Sequence, residues 1–111
     1  MDKTLITVAE AIKNCLHQVD SFGCFGGEEF IAILPETNLQ DADTTAQRIC
    51  QVINKLNIEI NRQKVRVTAS IGVATFSPED NNLEAVIERA DHAMFAAKNQ
   101  GRNQVSLGKT V

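Results

Sequence analysis

The chain has 111 residues, of which 43% are hydrophobic. Its 11 lysines and arginines and 14 aspartates and glutamates give a net charge of −3. This length and composition predict one ordinary domain, residues 1–111, and exclude disordered and collagen-like chains. The mild acidity, with five phenylalanines and neither tryptophan nor tyrosine, argues against binding to a nucleic-acid polymer, which normally uses a basic surface and aromatic stacking platforms.

The sequence shows no sign of export or of membrane insertion. Its longest apolar run, residues 30–34, is far too short to cross a bilayer, and the N-terminus lacks the pattern of a secretory signal. The three cysteines, Cys15, Cys24 and Cys50, are odd in number and widely spaced, which is typical of reduced thiols. We therefore expect a cytoplasmic protein with no membrane segment in this chain.

Helices are predicted in three places, because apolar residues recur there at intervals of three and four. The first helix occupies residues 5–19. The second begins at a cap on either Thr37 or Asn38, since both side chains can accept a hydrogen bond from a helix N-terminus. The third carries apolar residues from 83 to 97 and ends at Gly101, a residue suited to the left-handed position after a helix.

Short apolar runs predict strands at residues 21–25, 29–34, 58–60, 65–73 and 104–107. The first two flank Gly26 and Gly27 and are predicted to form a hairpin, because paired glycines accept positive φ. The run at 29–34 is apolar on both faces and is predicted to lie in the middle of a sheet covered on both sides. The predicted fold class is α+β, a mainly antiparallel central sheet flanked by helices.

The hairpin segment Gly26-Gly27-Glu28-Glu29-Phe30 places two adjacent carboxylates at the start of this strand. Because neighbouring strand residues point to opposite faces, at most one of the two is expected to enter a given site. Alone, the segment is more typical of a hairpin tip that is glycine-rich and acidic for turn geometry and solubility than of a functional site.

Three motifs in order change this interpretation. They are Gly-Gly-Glu-Glu-Phe-x-x-x-Leu-Pro-x-Thr at residues 26–37, Thr-x-Ser-Ile-Gly-Val-Ala at 68–74, and Ala-Asp-x-Ala-Met-Phe-x-Ala-Lys-x-x-Gly-Arg-Asn at 90–103. Together they resemble the GGDEF family of diguanylate cyclases. The resemblance covers residues 2–105, with the five-residue signature in its Glu-for-Asp variant.

The resemblance implies that the chain is a partial GGDEF domain of an enzyme that condenses two GTP molecules into cyclic di-GMP and releases pyrophosphate twice, in bacterial second-messenger signalling. Each domain would hold one GTP, so two domains would have to face each other as a homodimer. Mg²⁺ is the implied cofactor. An upstream sensory domain of unknown kind is implied as a further partner.

The resemblance also assigns roles to the signature residues. Glu28 corresponds to the carboxylate that ligates Mg²⁺ and acts as the base toward the attacking 3′-hydroxyl, and a hard oxygen ligand suits that ion. Gly26 and Gly27 correspond to the turn that lets phosphate and ribose approach the backbone, where a Cβ would intrude. Glu29 and Phe30 complete the signature, and Glu29 either supports the site or is an exposed carboxylate.

Two cations and one distant carboxylate complete the implied substrate site. Lys98 and Arg102 correspond to the cations that bind the triphosphate, and they could reach one point if helical geometry continues to Arg102. Without the other motifs, they would be cations that complement the dipole of a helix C-terminus. Asp2 stands at the position of the carboxylate that contacts guanine.

The chain departs from the family in two respects. The family's domain begins one strand and one helix earlier, so the fold is expected to be N-terminally truncated, with part of the metal site missing and one apolar strand edge unpaired. The family's inhibitory motif, Arg-x-x-Asp, corresponds here to His17 through Asp20. Because histidine lacks the planar fork of arginine, this inhibitory site is expected to be degenerate.

These departures leave two functions open. As a diguanylate cyclase, the chain is expected to have little activity by itself, because one carboxylate makes a poor Mg²⁺ site. The alternative is a non-catalytic regulatory or dimerisation module that keeps the GGDEF fold without turnover. An unrelated α+β scaffold is disfavoured, because three motifs occur in order.

Overall fold

The computed structural model describes residues 3–25 and 29–108. Three helices lie in these ranges: α1 (Lys3–Cys15), α2 (Leu39–Asn54) and α3 (Leu83–Asn99). The strands in the same ranges are β1 (Ser21–Phe25), β2 (Glu29–Ile33), β3 (Ile58–Ile60), β4 (Gln63–Val65), β5 (Ser70–Val73) and β6 (Gln104–Leu107). Among the described residues, no helix combines the length and the apolar character needed to cross a membrane.

The first helix ends four residues earlier than its apolar spacing predicts. A turn follows α1, in which the Asp20 N–H donates to the His17 carbonyl at 3.0 Å and Asp20 Oδ2 accepts the His17 N–H at 2.8 Å. This local side-chain bond offers the backbone an alternative to further helical bonds. The predicted helical conformation of residues 16–19 is therefore wrong, and Val19 is exposed.

The starts of the other two helices follow from asparagine caps. Asn38 Oδ1 accepts the N–H of Asp41 at 2.8 Å, whereas the Thr37 hydroxyl donates to a carbonyl before it. Asn38 is therefore the cap of α2, which decides between the two predicted candidates. Asn82 Oδ1 accepts the N–H of Ala85 at 3.0 Å and begins α3 in the same way. Each side chain satisfies a backbone donor that a helix N-terminus leaves free.

The strands pair in three separate ribbons. β1 with β2 and β3 with β4 are antiparallel, and β5 with β6 is parallel. The predicted α+β class and the predominance of antiparallel pairing are confirmed. The predicted strand at 65–73 is broken at 66–69, because β4 pairs with β3 while β5 pairs with β6.

The apolar strand β2 does not lie in the middle of a covered sheet, as its composition predicts. Within the described residues it pairs with β1 alone, and Ile33 near its end is 38% exposed. The expectation that β2 is buried on both faces is therefore wrong for this structure. A strand with this composition and one unpaired edge presents free N–H and C=O groups beside apolar side chains.

The core lies where α1 and α2 meet. Ile12 of α1 packs against Ile49 and Ile53 of α2, and Ile53 is only 1% exposed. Residues of β1, β2 and the segment around β5 pack against this cluster, among them Phe22 and Phe30. The β1–β2 pair and the segment around β5 therefore pack against one apolar centre between the two helices.

The third helix packs very closely against β5. Its buried face is carried by Val86, Ala93 and Ala97, and a Cβ added to Gly72 of β5 would overlap the backbone of α3. Leu83 was expected to point inward, but it is 47% exposed, because the buried face begins one turn later, at Val86. Small residues therefore bring this helix and strand together.

Arg89 of α3 forms hydrogen bonds with the loop that follows β5. Its guanidinium donates to Asp80 at 2.5 and 2.8 Å and to the Thr75 carbonyl at 2.6 Å. Asp80 also accepts the N–H of Ser77 at 2.8 Å, and its side chain is 3% exposed. The hydrogen bonds from Arg89, followed by that from Ser77, hold the pKa of Asp80 below its usual value.

Acidification through the pKa of Asp80 is expected to destabilise the protein. A carboxyl whose pKa is lowered by folding stabilises the fold above its unfolded pKa of about 4, and this contribution is lost as the pH falls through the folded pKa. Between about pH 6 and pH 3, the urea midpoint should fall further for the wild type than for Asp80→Asn, which should be the less stable protein at the higher pH. Urea titrations followed by far-UV circular dichroism measure this, with Glu10→Gln at an exposed position of α1 as the control. Equal pH dependence of the wild type and Asp80→Asn would contradict the expectation.

Candidate functional site

Four of the residues assigned by the resemblance lie outside the described ranges. They are Asp2, Gly26, Gly27 and Glu28. Their roles stay predictions, and the structure describes only the residues that flank them in the sequence. The candidate site therefore has two described parts, the ends of the β1–β2 hairpin and the C-terminal end of α3.

The hairpin that flanks residues 26–28 is confirmed. Phe25 lies opposite Glu29 and Cys24 opposite Phe30 in a regular antiparallel register, so that the two strands end at the same level. Such a register holds both ends of the intervening segment close together. The pairing thus brings the two strand ends that flank residues 26–28 side by side.

Phe30 anchors this ribbon to the core. Its ring stacks on Phe22 of β1 with centroids 5.3 Å apart and an interplanar angle of 20°, and both rings pack against the cluster centred on Ile53. Glu29, which precedes Phe30 and points to the opposite face, is exposed. Phe30 is therefore a structural member of the signature, and Glu29 lies on the solvent side of the strand.

Lys98 stands in the last turn of α3 and is half-buried. Its Nζ lies 5.6 Å from the centroid of the Phe95 ring, at the distance of a cation–π contact. The Phe95 ring is 52% exposed, so the ammonium group is held beside an accessible apolar surface. Residues three apart on a helix share a face, and that spacing in the sequence could have revealed this contact.

Arg102 does not continue the helix. α3 ends at Asn99, and Gly101 follows with φ of 119° in the predicted position after the cap. The Arg102 N–H donates to the Ala97 carbonyl at 2.9 Å, which is the closing bond of a Schellman motif. Arg102 itself has a φ of 64°. The condition that helical geometry continues to Arg102 is therefore not met, and the turn decides its direction.

Both cations lack a carboxylate partner within the described ranges. The ion pair formed there is that of Arg89 with Asp80, and neither Lys98 nor Arg102 lies within 4.0 Å of an acidic group that the structure describes. Lys98 is favourably placed near the negative end of the α3 dipole. Unpaired cations at one end of a helix leave positive charge available for an anionic group.

His17 and Asp20, the residues at the position of the family's inhibitory motif, lie in the turn between α1 and β1. Asp20 accepts the backbone N–H of His17 at 2.8 Å, so one of its oxygens is engaged within the turn. Both residues line an open cavity of about 430 Å³ together with Lys13 and Phe22. The structure therefore gives Asp20 a local structural role and brings no arginine into this cavity.

The described residues contain no group of three or more histidines, cysteines, aspartates or glutamates that could hold a metal ion. Glu28, the assigned metal ligand, lies outside them. Cys15, Cys24 and Cys50 are free thiols, and burial raises the pKa of Cys50. The metal-binding role of Glu28 therefore stays a prediction.

Comparison with known proteins agrees with these features. A family model described as "Diguanylate cyclase, GGDEF domain" matches residues 1–104. The chain belongs to the GGDEF-domain diguanylate cyclase family. A relative, Diguanylate cyclase A of Treponema denticola, is 37% identical over 108 residues, which cover 97% of this chain and 29% of that protein.

Solved structures show that the fold of this GGDEF domain is the family's fold. Diguanylate cyclase SiaD of Pseudomonas aeruginosa, solved with its activator SiaC, matches with a TM-score of 0.89 and 32% identity, over 96% of this chain and 40% of SiaD. The GGDEF domain of DgcB of Caulobacter crescentus, solved with c-di-GMP, matches with a TM-score of 0.88 and 28% identity, over 95% of this chain and 63% of that one. The match to the T. denticola relative spans less than a third of the length of that protein. Diguanylate cyclases of this family use divalent metal ions.

Proposed function

We propose that this GGDEF domain binds one GTP and, facing a second copy, contributes half of a site that condenses two GTP molecules into cyclic di-GMP in bacterial signalling. The observation that carries the proposal is the pair of cations at the end of α3, Lys98 and Arg102, which form no ion pair within residues 3–25 and 29–108 of a chain of this family. A cytoplasmic location, where GTP is available, is part of the proposal.

The triphosphate is assigned to the end of α3. Lys98 supplies a compact point charge, whereas the planar guanidinium of Arg102 can bind two phosphate oxygens at once. Positive charge at this point offsets the repulsion between phosphate groups and holds the leaving pyrophosphate. Both residues therefore bind and orient the substrate and do not exchange protons with it.

The reacting atoms are assigned to the signature loop at the end of the hairpin. The 3′-hydroxyl oxygen of one GTP forms a bond to the α-phosphorus of the other, the bond from that phosphorus to the pyrophosphate oxygen breaks, and Glu28 accepts the hydroxyl proton. A second, equivalent reaction closes the ring, which is why two domains are needed. When bound, Mg²⁺ would neutralise charge on the phosphate oxygens, with Glu28 as its ligand.

Calorimetric titration with a non-hydrolysable GTP analogue tests the proposal. Lys98→Ala and Arg102→Ala should each weaken binding by about 10-fold or more, because each removes a charge-assisted hydrogen bond to phosphate. Glu28→Ala should abolish the dependence of binding on Mg²⁺. Lys64→Ala, an exposed cation on β4, is the matched control and should bind as the wild type does.

Three outcomes separate the candidate functions. The GTP site is supported if binding is weaker in Lys98→Ala and Arg102→Ala, no longer depends on Mg²⁺ in Glu28→Ala, and is unchanged in Lys64→Ala. Absence of binding in the wild type would overturn the proposal and leave a non-catalytic regulatory or dimerisation module. Equal weakening by all four variants would show non-specific attraction of a polyanion to surface charge.

A further inference from the structure

The turn that carries Arg102 has an unusual backbone. Gly101, Arg102 and Asn103 follow one another with φ of 119°, 64° and 49°. Glycine adopts such values freely, whereas a side chain with a Cβ is disfavoured there. Two consecutive non-glycine residues in the left-handed region persist only where surrounding contacts determine the conformation.

Contacts from three directions hold this turn. The backbone N–H of Arg102 donates to the end of α3, as described above, and the Cys50 thiol of α2 lies 3.7 Å from Asn103 Oδ1. The third contact is the side-chain amide of Gln104, whose Nε2 donates to the Arg102 carbonyl at 3.1 Å and to the Gln100 carbonyl at 3.0 Å. Among the side chains that the structure describes, that of Gln104 donates a hydrogen bond to the backbone of Arg102.

Gln104 is well placed for this because its own backbone is fixed. It is the first residue of β6 and lies beside Ser70 in the parallel pair with β5. The Cα of Gln104 is therefore held in the sheet, while the amide at the far end of its side chain bonds to both the helix cap and the turn. A half-buried amide with both N–H groups engaged in this way has little freedom to rotate.

We propose that Gln104 is a positioning residue for Arg102, which fixes the backbone of the turn so that the guanidinium points at the triphosphate. The proposal rests on the phosphate-binding role of Arg102 given above. A long side chain on a loose turn would have to be ordered when the ligand binds, and a turn held in advance lowers that cost. The sequence motif ends at Asn103, so neither the motif nor the apolar spacing points to Gln104.

A purely structural role is the competing interpretation. Gln104 also satisfies two carbonyl groups at a helix C-terminus, and such groups need partners for stability alone. The two roles differ in their dependence on Arg102. A positioning residue matters for GTP binding only while Arg102 is present, whereas a structural residue affects binding equally with or without it.

A double-mutant cycle with Gln104→Ala and Arg102→Ala tests the proposal, with the GTP analogue as ligand. Gln104→Ala should weaken binding by about 3- to 10-fold in the wild-type background, the loss expected from one or two neutral hydrogen bonds, and should have no further effect in Arg102→Ala. Gln51→Ala, at an exposed glutamine of α2, is the control. Unchanged affinity in Gln104→Ala, or equal fold-changes in both backgrounds, would overturn the proposal.

A second measurement keeps the two proposals distinguishable. Hydrogen exchange of the Arg102 amide, followed by NMR, should be at least about 5-fold faster in Gln104→Ala than in wild type and unchanged in Gln51→Ala. If Arg102→Ala binds GTP as well as the wild type, the phosphate-binding role fails, whatever Gln104 does. If the exchange rate does not change, Gln104 does not hold the turn and this inference fails, whether or not GTP binds.

Discussion

Replacement of Gly72 by alanine is expected to be among the most damaging single changes in this protein. The added Cβ would overlap the carbonyl oxygen of Ala90 and lie 2.5 Å from Met94 N. Both are backbone atoms inside α3, so no side-chain rotation relieves the contact, and β5 and α3 must separate. The expected loss is more than about 3 kcal/mol, at or beyond the usual range for overpacking.

Gly23→Ala is the matched control for this change. Gly23 also lies within a strand, but a Cβ there has no atom within 4 Å. The substitution should change stability by less than about 1 kcal/mol, and in the stabilising direction, because glycine is entropically unfavourable in a strand. Urea unfolding followed by circular dichroism measures both, since the chain has neither tryptophan nor tyrosine. Similar midpoints for the two variants would show that β5 and α3 are not in close contact.

Truncation of Ile53 to alanine is the second change with a large expected effect. Ile53 is 1% exposed and stands in the cluster with Ile12 and Ile49, where α1 and α2 meet. Removal of its side chain loses buried apolar contacts and leaves a cavity, at a cost of about 2–5 kcal/mol. That is a large share of the stability of a small domain, which is about 5–15 kcal/mol.

Ile33→Ala provides the comparison at an exposed isoleucine. Ile33 ends β2 and is 38% exposed, so its truncation should cost less than about 1.5 kcal/mol. The free energy of unfolding in urea should therefore differ between the two variants by at least about 0.5 kcal/mol. An equal cost at both positions would contradict the location of the core between α1 and α2.

Much of the fold could be predicted because it depends on neighbours in the sequence. The cap candidate Asn38 of α2, the apolar spacing of that helix and the glycine that follows α3 are local features, and the structure confirms them. The errors arise where a local pattern competes with another contact. The helix α1 stops early because Asp20 bonds to the backbone of His17, and apolar spacing contains no information about that bond.

The candidate site was predicted less completely than the fold. Its motifs predict Lys98 and Arg102 as the cations of the site, but not the contacts that these residues make. The spacing of Phe95 and Lys98 could have indicated the cation–π contact, whereas Gln104, whose amide donates to the Arg102 carbonyl, lies outside the motif. Side-chain orientation depends on the turn after α3, whose left-handed residues no propensity would place at an arginine.

The sequence by itself determined the approximate positions of the helices and strands, and it supplied the residues that are proposed to bind a ligand. Those properties follow from periodicity, caps and residue chemistry, which act over a few positions. Only the tertiary structure decided that β5 pairs with β6 rather than continuing β4, that Phe30 joins the core of α1 and α2, and that the Gln104 side chain bonds to the Arg102 carbonyl. These arrangements join segments that are distant in the sequence or set by a specific turn, so their free energies depend on packing that no local pattern records.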